Sequence, residues 1–301
     1  MKILITGATG LIGRALCERL TAENHEVSVL VRDDNEKEKN PYQAFLWDYE
    51  KKYLEESALD GVEAIVHLAG SPIAVRWTKK FKNLILESRV NAADFLLTEL
   101  KKRQQQLQVF VSASAIGYYG AVTSDKIFTE NDSPAQDFLG KVCQAWEAKA
   151  DEFKTVSNRV VVLRTSGVLS NNGGLLQELK EPIEKNVGSA LGSGKQWMPW
   201  IHIDDMVAMY QKALGDTAME GAYNAATPEF VNNKGFVKTI AKILEKKIVF
   251  PKVPAVMLKL MFGEMSNLIL KGSRVSVDKI EKQGFKFKYP NLDSALKNLL
   301  K

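Results

Sequence analysis

Two cysteines and three histidines are too few to staple or metallate a chain of 301 residues. Cys17 and Cys143 each lie among apolar, helix-like residues, which fits two buried thiols in a reducing compartment and excludes a disulfide framework. The histidines stand in separate contexts with no metal-ligand spacing, so no metal site is expected. No apolar run reaches the roughly 18 residues of a membrane span. The chain opens on "MKILITG", which runs straight into a strand with no leader pattern. A cytoplasmic protein with no membrane partner is therefore expected. Charge of one sign is also scarce, since 41 basic residues face 36 acidic ones for a net of +5. The clusters "TKKFKN" (78–83) and "KKR" (101–103) sit on helix-like segments and read as solvated faces. No nucleic-acid partner is expected.

What is present is ordinary globular composition, 45% hydrophobic and 26% charged, at a length that suits one large domain or two unequal ones. Strand-like runs ("KILIT", "HEVSVLVR", "VEAIVHLAG", "LQVFVSAS", "NRVVVLRTS") alternate with helical patterns, and the strands are apolar throughout rather than on every second residue. Buried parallel strands read this way. The fold class is α/β, a Rossmann-type doubly wound parallel sheet with a smaller C-terminal substrate-side portion. Residues 1–165 form the expected nucleotide-binding domain, with room for later segments to return to the sheet, and 166–301 the substrate side.

"GATGLIG" (7–13) is the strongest local motif, placed between a strand and a helix. Gly7 permits the tight turn, Gly10 lets backbone approach a pyrophosphate, and Gly13 lets the helix pack close to the sheet. Thr9, Leu11 and Ile12 complete the loop. Arg32 ends the second strand, where an NAD site offers an acid to the ribose. An arginine there can pair with a 2'-phosphate. NADP is favoured, with NAD possible, and the neighbouring Asp33 and Asp34 leave open an Arg32 that only faces solvent where a loop begins. In "HLAG" (67–70), His67 is a packed or backbone-bonded histidine rather than a base. Leu68, Ala69 and Gly70 leave room for a nucleotide against the strand end. Arg89 faces either cofactor phosphates or solvent.

Together, "GATGLIG", "HLAG", "VSASAIGYYG" (111–120) and "VVVLRTSGVL" (160–169) resemble the extended short-chain dehydrogenase/reductase superfamily. The segments "FLGKVCQAWE" (138–147), "GSGKQWMPWIHIDD" (192–205), "GAYNAATPEFVNNKGF" (221–236), "KGSRV" (271–275) and "GFKFKYP" (284–290) narrow this to an atypical, epimerase-like family with a short C-terminal domain of unassigned function, here about residues 250–298. The resemblance implies an oxidoreductase or nucleoside-diphosphate-sugar epimerase acting on a small molecule. Its chemistry uses a tyrosine as acid/base, a lysine four residues later, and a serine that steadies the substrate oxygen. Ser114 matches the serine. Phe138 and Val142 fall where tyrosine and lysine belong, and Lys141 is one residue early. Phenylalanine carries no proton, so Tyr118 and Tyr119 become the candidate phenols. A cofactor-binding sensor or scaffold with little turnover is the alternative.

The substrate side offers Glu130, Trp197, His202, Asn224 and Arg274 as candidate contacts. "SGKQWMPWIHI" reads as a strand, Asp204 and Asp205 as helix-start acids, and "FVNNKGFVKTIAKIL" as an Asn-capped helix. The loop "NNGG" (171–174) is placed to close over a ligand. Trp146 reads as helix packing and Glu147 as helix surface. The Met/Leu pattern of "AVMLKLMFGEMSNLIL" reads as domain core. A monomer or a homodimer through the helices near 79–102 and 136–153 fits the sequence.

Overall fold

A computed structural model describes all 301 residues. The chain runs β1 (Lys2–Thr6), α1 (Leu11–Ala22), β2 (Glu26–Val31), α2 (Asp34–Glu38), β3 (Gln43–Asp48), β4 (Tyr53–Leu54) and β5 (Ala64–His67). It continues through α3 (Lys79–Lys102), β6 (Val109–Ala115), β7 (Ile127–Phe128), α4 (Phe138–Asp151) and β8 (Val160–Thr165). Beyond these lie β9 (Gly167–Ser170), β10 (Gly173–Gly174), α5 (Leu175–Glu184), β11 (Trp200–His202), α6 (Ile203–Gly215) and β12 (Gly221–Ala225).

Eight strands form the main sheet in the order β12-β8-β6-β5-β1-β2-β3-β4. Every pair is parallel except β3 with β4. Continuous apolar runs make this possible, because both faces of the sheet are covered. Ile3, Ile5, Val111 and Leu163 pack with Leu16 of α1 and Met206, Met209 and Tyr210 of α6 on one face. Leu4, Ile65 and Phe110 pack with Ala92, Leu96 and Leu100 of α3 on the other. Strand β12 lies beyond residue 165 and pairs with β8, so the sheet is incomplete without it. Arg159 secures that return. Its buried guanidinium donates to the carbonyls of Ala213, Leu214 and Met219, the end of α6 and the approach to β12.

A third core joins β9, β11 and α5 to α7 (Asn233–Ile243) and, late in the chain, α11 (Leu292–Leu300). Between them come α8 (Ala255–Phe262), α9 (Ser266–Leu270), β13 (Arg274–Val275) and α10 (Asp278–Lys282). The segment around Trp197 and Pro199 is mostly irregular, and only Trp200–His202 is strand, a shorter element than the sequence suggests. Side-chain caps start several helices: Asn232 caps α7 by accepting from Gly235 N, as the Asn-capped reading expects, and Asp137 caps α4 by accepting from Gly140 N. No helix is long and apolar enough to cross a membrane.

Candidate functional site

The nucleotide side is made of backbone and small residues at the carboxyl end of β1. Gly7 has φ of +70°, and a Cβ there would lie 2.8 Å from Leu68 C. A Cβ on Gly13 would lie 2.3 Å from Gly7 O, so α1 can approach the turn only with glycine at this position. Gly10 precedes α1 and brings no side-chain cap, which leaves the N–H groups of the first turn, Leu11 to Gly13, without an acceptor inside the protein. From across the cleft, Gly174 of the "NNGG" loop approaches Leu11 so closely that a Cβ would lie 2.9 Å from Leu11 Cδ2.

Thr6 locks the neighbouring strand end. Its Oγ1 accepts from Leu68 N and Ala69 N, both at 3.1 Å, and lies 3.0 Å from His67 Nδ1. With both lone pairs engaged, the hydroxyl donates to Nδ1, and Nε2–H points to Arg89 O at 3.4 Å. Burial holds the imidazole neutral and lowers its pKa to about 4. His67 therefore presents no side chain to a ligand, and its contribution is to brace the strand end. Arg89 donates to Ile85 O and Ser71 O and lies over the Trp146 ring, holding the loop after β5 from beneath. At the end of β2, Arg32 is exposed. Asp33 caps α2 by accepting from Glu36 N at 2.8 Å, which turns its carboxylate toward its own helix.

Across β6, β8 and β12, charged and polar side chains are wired together. Ser114 of β6, Arg164 of β8 and Asn224 of β12 are in register across three adjacent parallel strands. Ser114 Oγ donates to Glu147 Oε1 at 2.6 Å. Arg164 grips the same carboxylate with two bonds, from Nε at 2.9 Å and Nη2 at 2.8 Å. Its Nη1 donates to Tyr119 Oη at 2.8 Å and Glu130 O at 3.2 Å. Tyr119 in turn donates to Asn224 Oδ1 at 2.7 Å, and Asn224 Nδ2 donates to Ser276 O. Glu130 accepts from Asn224 N at 2.9 Å. The paired carboxylate favours the charged form of Arg164, while burial pushes the Tyr119 phenol up to about 12.

The two tyrosines thus part ways. Tyr119 is 2% exposed and has its hydroxyl committed twice. Tyr118 is half-buried, its ring 3.5 Å from Arg164 Cζ, and its hydroxyl has no hydrogen-bond partner within the protein. Helix α4 turns Phe138 and its neighbour Leu139 to different surroundings. Phe138 packs edge-on against Trp77, with Lys82 Nζ 5.1 Å from its ring centroid. The residues that face the loop after β6 are one position later: a Cβ on Gly117 would lie 3.3 Å from Leu139 Cβ and 3.6 Å from Cys143 Sγ. Leu139, Cys143 and Glu147 follow one another at four-residue steps on that face. Neither a phenol nor an ammonium stands there, and burial pushes the Cys143 thiol to about 12.

A family model described as "NAD dependent epimerase/dehydratase family" matches residues 3–226. The chain belongs to that family. Residues 253–299 match a "Domain of unknown function (DUF1731)". Among curated relatives, Epimerase family protein YfhF of Bacillus subtilis is 34% identical over 301 residues, spanning 100% of this chain and 98% of that protein. Among solved structures, human epimerase family protein SDR39U1 with NADPH is 29% identical, with a TM-score of 0.89 over 99% of each chain. UDP-glucuronic acid 4-epimerase from Bacillus cereus, in complex with UDP-glucuronic acid and NAD, has a TM-score of 0.80 at 20% identity, a likeness of fold alone, over 99% of this chain and 98% of that one.

In this epimerase-family chain the remaining candidates divide. Trp197 and Arg274 meet, the guanidinium lying 4.9 Å from the Trp197 ring and 5.5 Å from Phe230. His202 does not join them. It is buried, stacked on Tyr289 at 3.8 Å, bonded to Asn298, and caps α6 by accepting from Asp204 N. Asn224 is fully buried with its amide satisfied, so it supports the network and offers nothing outward. Asp205 receives Lys288 N and Tyr289 N, pinning the approach to α11 rather than merely opening a helix. Thr6 and Arg164 escaped sequence reading, and Glu147, read as helix surface, is instead 14% exposed and bonded to Ser114 and Arg164. Only Arg164 carried a signal, as a lone charge inside the apolar strand "VVVLRT", where a cation must be paired.

Proposed function

We propose that the protein binds NADP(H) and uses it to oxidise or reduce a carbinol or carbonyl carbon of a small substrate, as an oxidoreductase or as an epimerase of sugar-nucleotide type. The glycine loop fits the dinucleotide, because a Cβ at Gly7 or Gly13 would collide with backbone. The first turn of α1 meets the pyrophosphate, and the free guanidinium of Arg32 meets the 2'-phosphate, with Asp33 turned away. The bound nicotinamide supplies the hydride chemistry. That SDR39U1 was solved with NADPH supports the choice of cofactor.

The observation that carries the reading is the division between the tyrosines. Tyr118 is the proton-bearing group at the substrate oxygen, since Tyr119 is committed to Arg164 and Asn224. Ser114, with its own proton held by Glu147 at 2.6 Å, presents lone pairs and orients a substrate hydroxyl. Arg274 between Trp197 and Phe230 supplies a cation and flat apolar faces for a ring or phosphate group of the substrate. A second reading, nucleotide binding without turnover, draws on Phe138 and Val142 where tyrosine and lysine are expected, and on Leu139 and Cys143, which bring neither a phenol nor an ammonium to the loop after β6.

The test measures affinity for both dinucleotides, then nicotinamide absorbance against a panel of carbonyl and carbinol substrates. Arg32→Ala should weaken NADPH about tenfold or more while sparing NADH, as loss of a bond to a charged group implies. Equal losses would remove the 2'-phosphate assignment. Tyr118→Phe should lower kcat about a hundredfold or more with KM little changed. Unchanged turnover would end its role, and binding with no turnover on any substrate would favour the second reading.

A further inference from the structure

The stretch "AVMLKLMF" that forms α8 reads as core from its sequence, yet only Leu258 points inward. Val256, Met257, Leu260 and Met261, together with Val249 and Phe250 just upstream, are 51–74% exposed. The spacing of the four α8 residues, one turn apart in adjacent pairs, puts them on a single stripe of the helix. Exposed apolar side chains in such a contiguous run mark an interaction surface.

The charge around this run is just as uneven. Residues 234–261 contain seven lysines and one glutamate, a net of +6, against +5 for the whole chain. None of the seven forms an ion pair. Lys234, Lys238, Lys242, Lys246 and Lys252 line, with Phe250, a groove of about 450 Å³ beside the start of α8. At the C-terminal end of α8, a Cβ on Gly263 would lie 3.9 Å from Arg76 Nε, and Lys79 and Lys80, a few residues after Arg76, are exposed.

We propose that this face docks on an anionic lipid surface, with the α8 stripe entering the headgroup boundary and the lysines meeting the headgroups. Charge complementarity decides among the occupants. A second copy of this chain across a two-fold axis would bring one +6 segment against another. A nucleic acid would use the lysines but would find only Phe250 to stack on, and it would leave the methionines, valines and leucine without a partner. A bilayer surface takes both the apolar stripe and the lysines. The absence of a spanning helix is compatible with this, because the segment lies on the membrane and does not cross it.

Co-sedimentation of the full-length protein with phosphatidylcholine vesicles, with and without phosphatidylglycerol, tests the proposal. Binding is expected only with phosphatidylglycerol, weakening as salt rises. Each lysine near such a surface strengthens binding about fivefold, so Lys246→Glu with Lys252→Glu should reduce it more than tenfold. Leu260→Asp with Met261→Asp should reduce it comparably. Retained circular dichroism and nucleotide affinity in both double variants show that the fold survives. The proposal is overturned by equal binding to both vesicle types, by no binding, or by binding that both folded variants preserve. It is also overturned if the protein dimerises in sedimentation velocity and Leu260→Asp dissociates the dimer. Binding to an RNA oligonucleotide that Leu260→Asp leaves intact, with no vesicle binding, overturns it as well.

Discussion

The two walls of the cleft are built on opposite principles. Around β1 the nucleotide side presents glycines, free amide N–H groups and one strand-end lock made by Thr6 and His67. Around β6, β8 and β12 the other wall joins Ser114, Glu147, Arg164, Tyr119 and Asn224 in one hydrogen-bonded chain. Backbone recognition tolerates change in side chains but not the addition of a Cβ. A side-chain network tolerates volume changes poorly and unpaired charges hardly at all. The walls should therefore fail differently when altered.

The largest effect is expected at Arg164. Its side chain is 4% exposed and Glu147 14%. Replacing it with methionine leaves a carboxylate in the network without its partner, and should lower unfolding free energy by about 3–5 kcal/mol in urea titration. If the contrast between walls is real, the surviving folded protein still binds NADPH. Next comes acid. His67 is held neutral with its pKa lowered from 6.5 to about 4, so the unfolded chain binds the extra proton first as pH falls. The stability is present above pH 6.5 and is lost as pH falls through about 4, a change of about 3 kcal/mol. His67→Asn should flatten that part of the stability profile; an unchanged slope would remove the assignment.

Gly13→Ala forces a methyl against Gly7 O and should cost about 1–3 kcal/mol together with a loss of nucleotide affinity, the mirror image of the Arg164 result. Tyr119→Phe leaves Asn224 Oδ1 unsatisfied in the core and should also cost about 1–3 kcal/mol. The smallest stability effect belongs to its neighbour. Tyr118→Phe should stay within about 0.5 kcal/mol, because that hydroxyl bonds to nothing in the protein. Similar losses at both tyrosines in thermal melts would erase the distinction between a structural and an available phenol.

The nucleotide wall was legible because its chemistry is local. Gly7, Gly10 and Gly13 are read from seven consecutive residues, with a strand before and a helix after. The parallel sheet was legible from runs such as "VVVLRT" for the same reason. The other wall is non-local. Glu147 looks like any exposed acid in "AWEAKAD", and only the packing of α4 against β6 and β8 brings it to Ser114 and Arg164. His202 and Asn224 read as ligand contacts because a polar residue near a strand end has two uses. Here both are spent on internal bonds. The α8 stripe misled for a simpler reason. Hydropathy reports the wish to leave water, and not which surface satisfies it.

The two-stranded pairing of β7 with β13 joins Ile127 to Arg274 and Phe128 to Val275. It sets an order of assembly. As the chain is synthesised from its N-terminus, β1 to β6 and the helices between them can collapse while later residues are still being added. Helix α1 of the nucleotide wall still lacks its neighbour α6 at that stage. The other wall waits for β12 to meet β8 and for β13 to meet β7, contacts with long loop closures that are slow to make. The wall of Ser114, Arg164 and Asn224 is thus among the last parts of this protein to take shape.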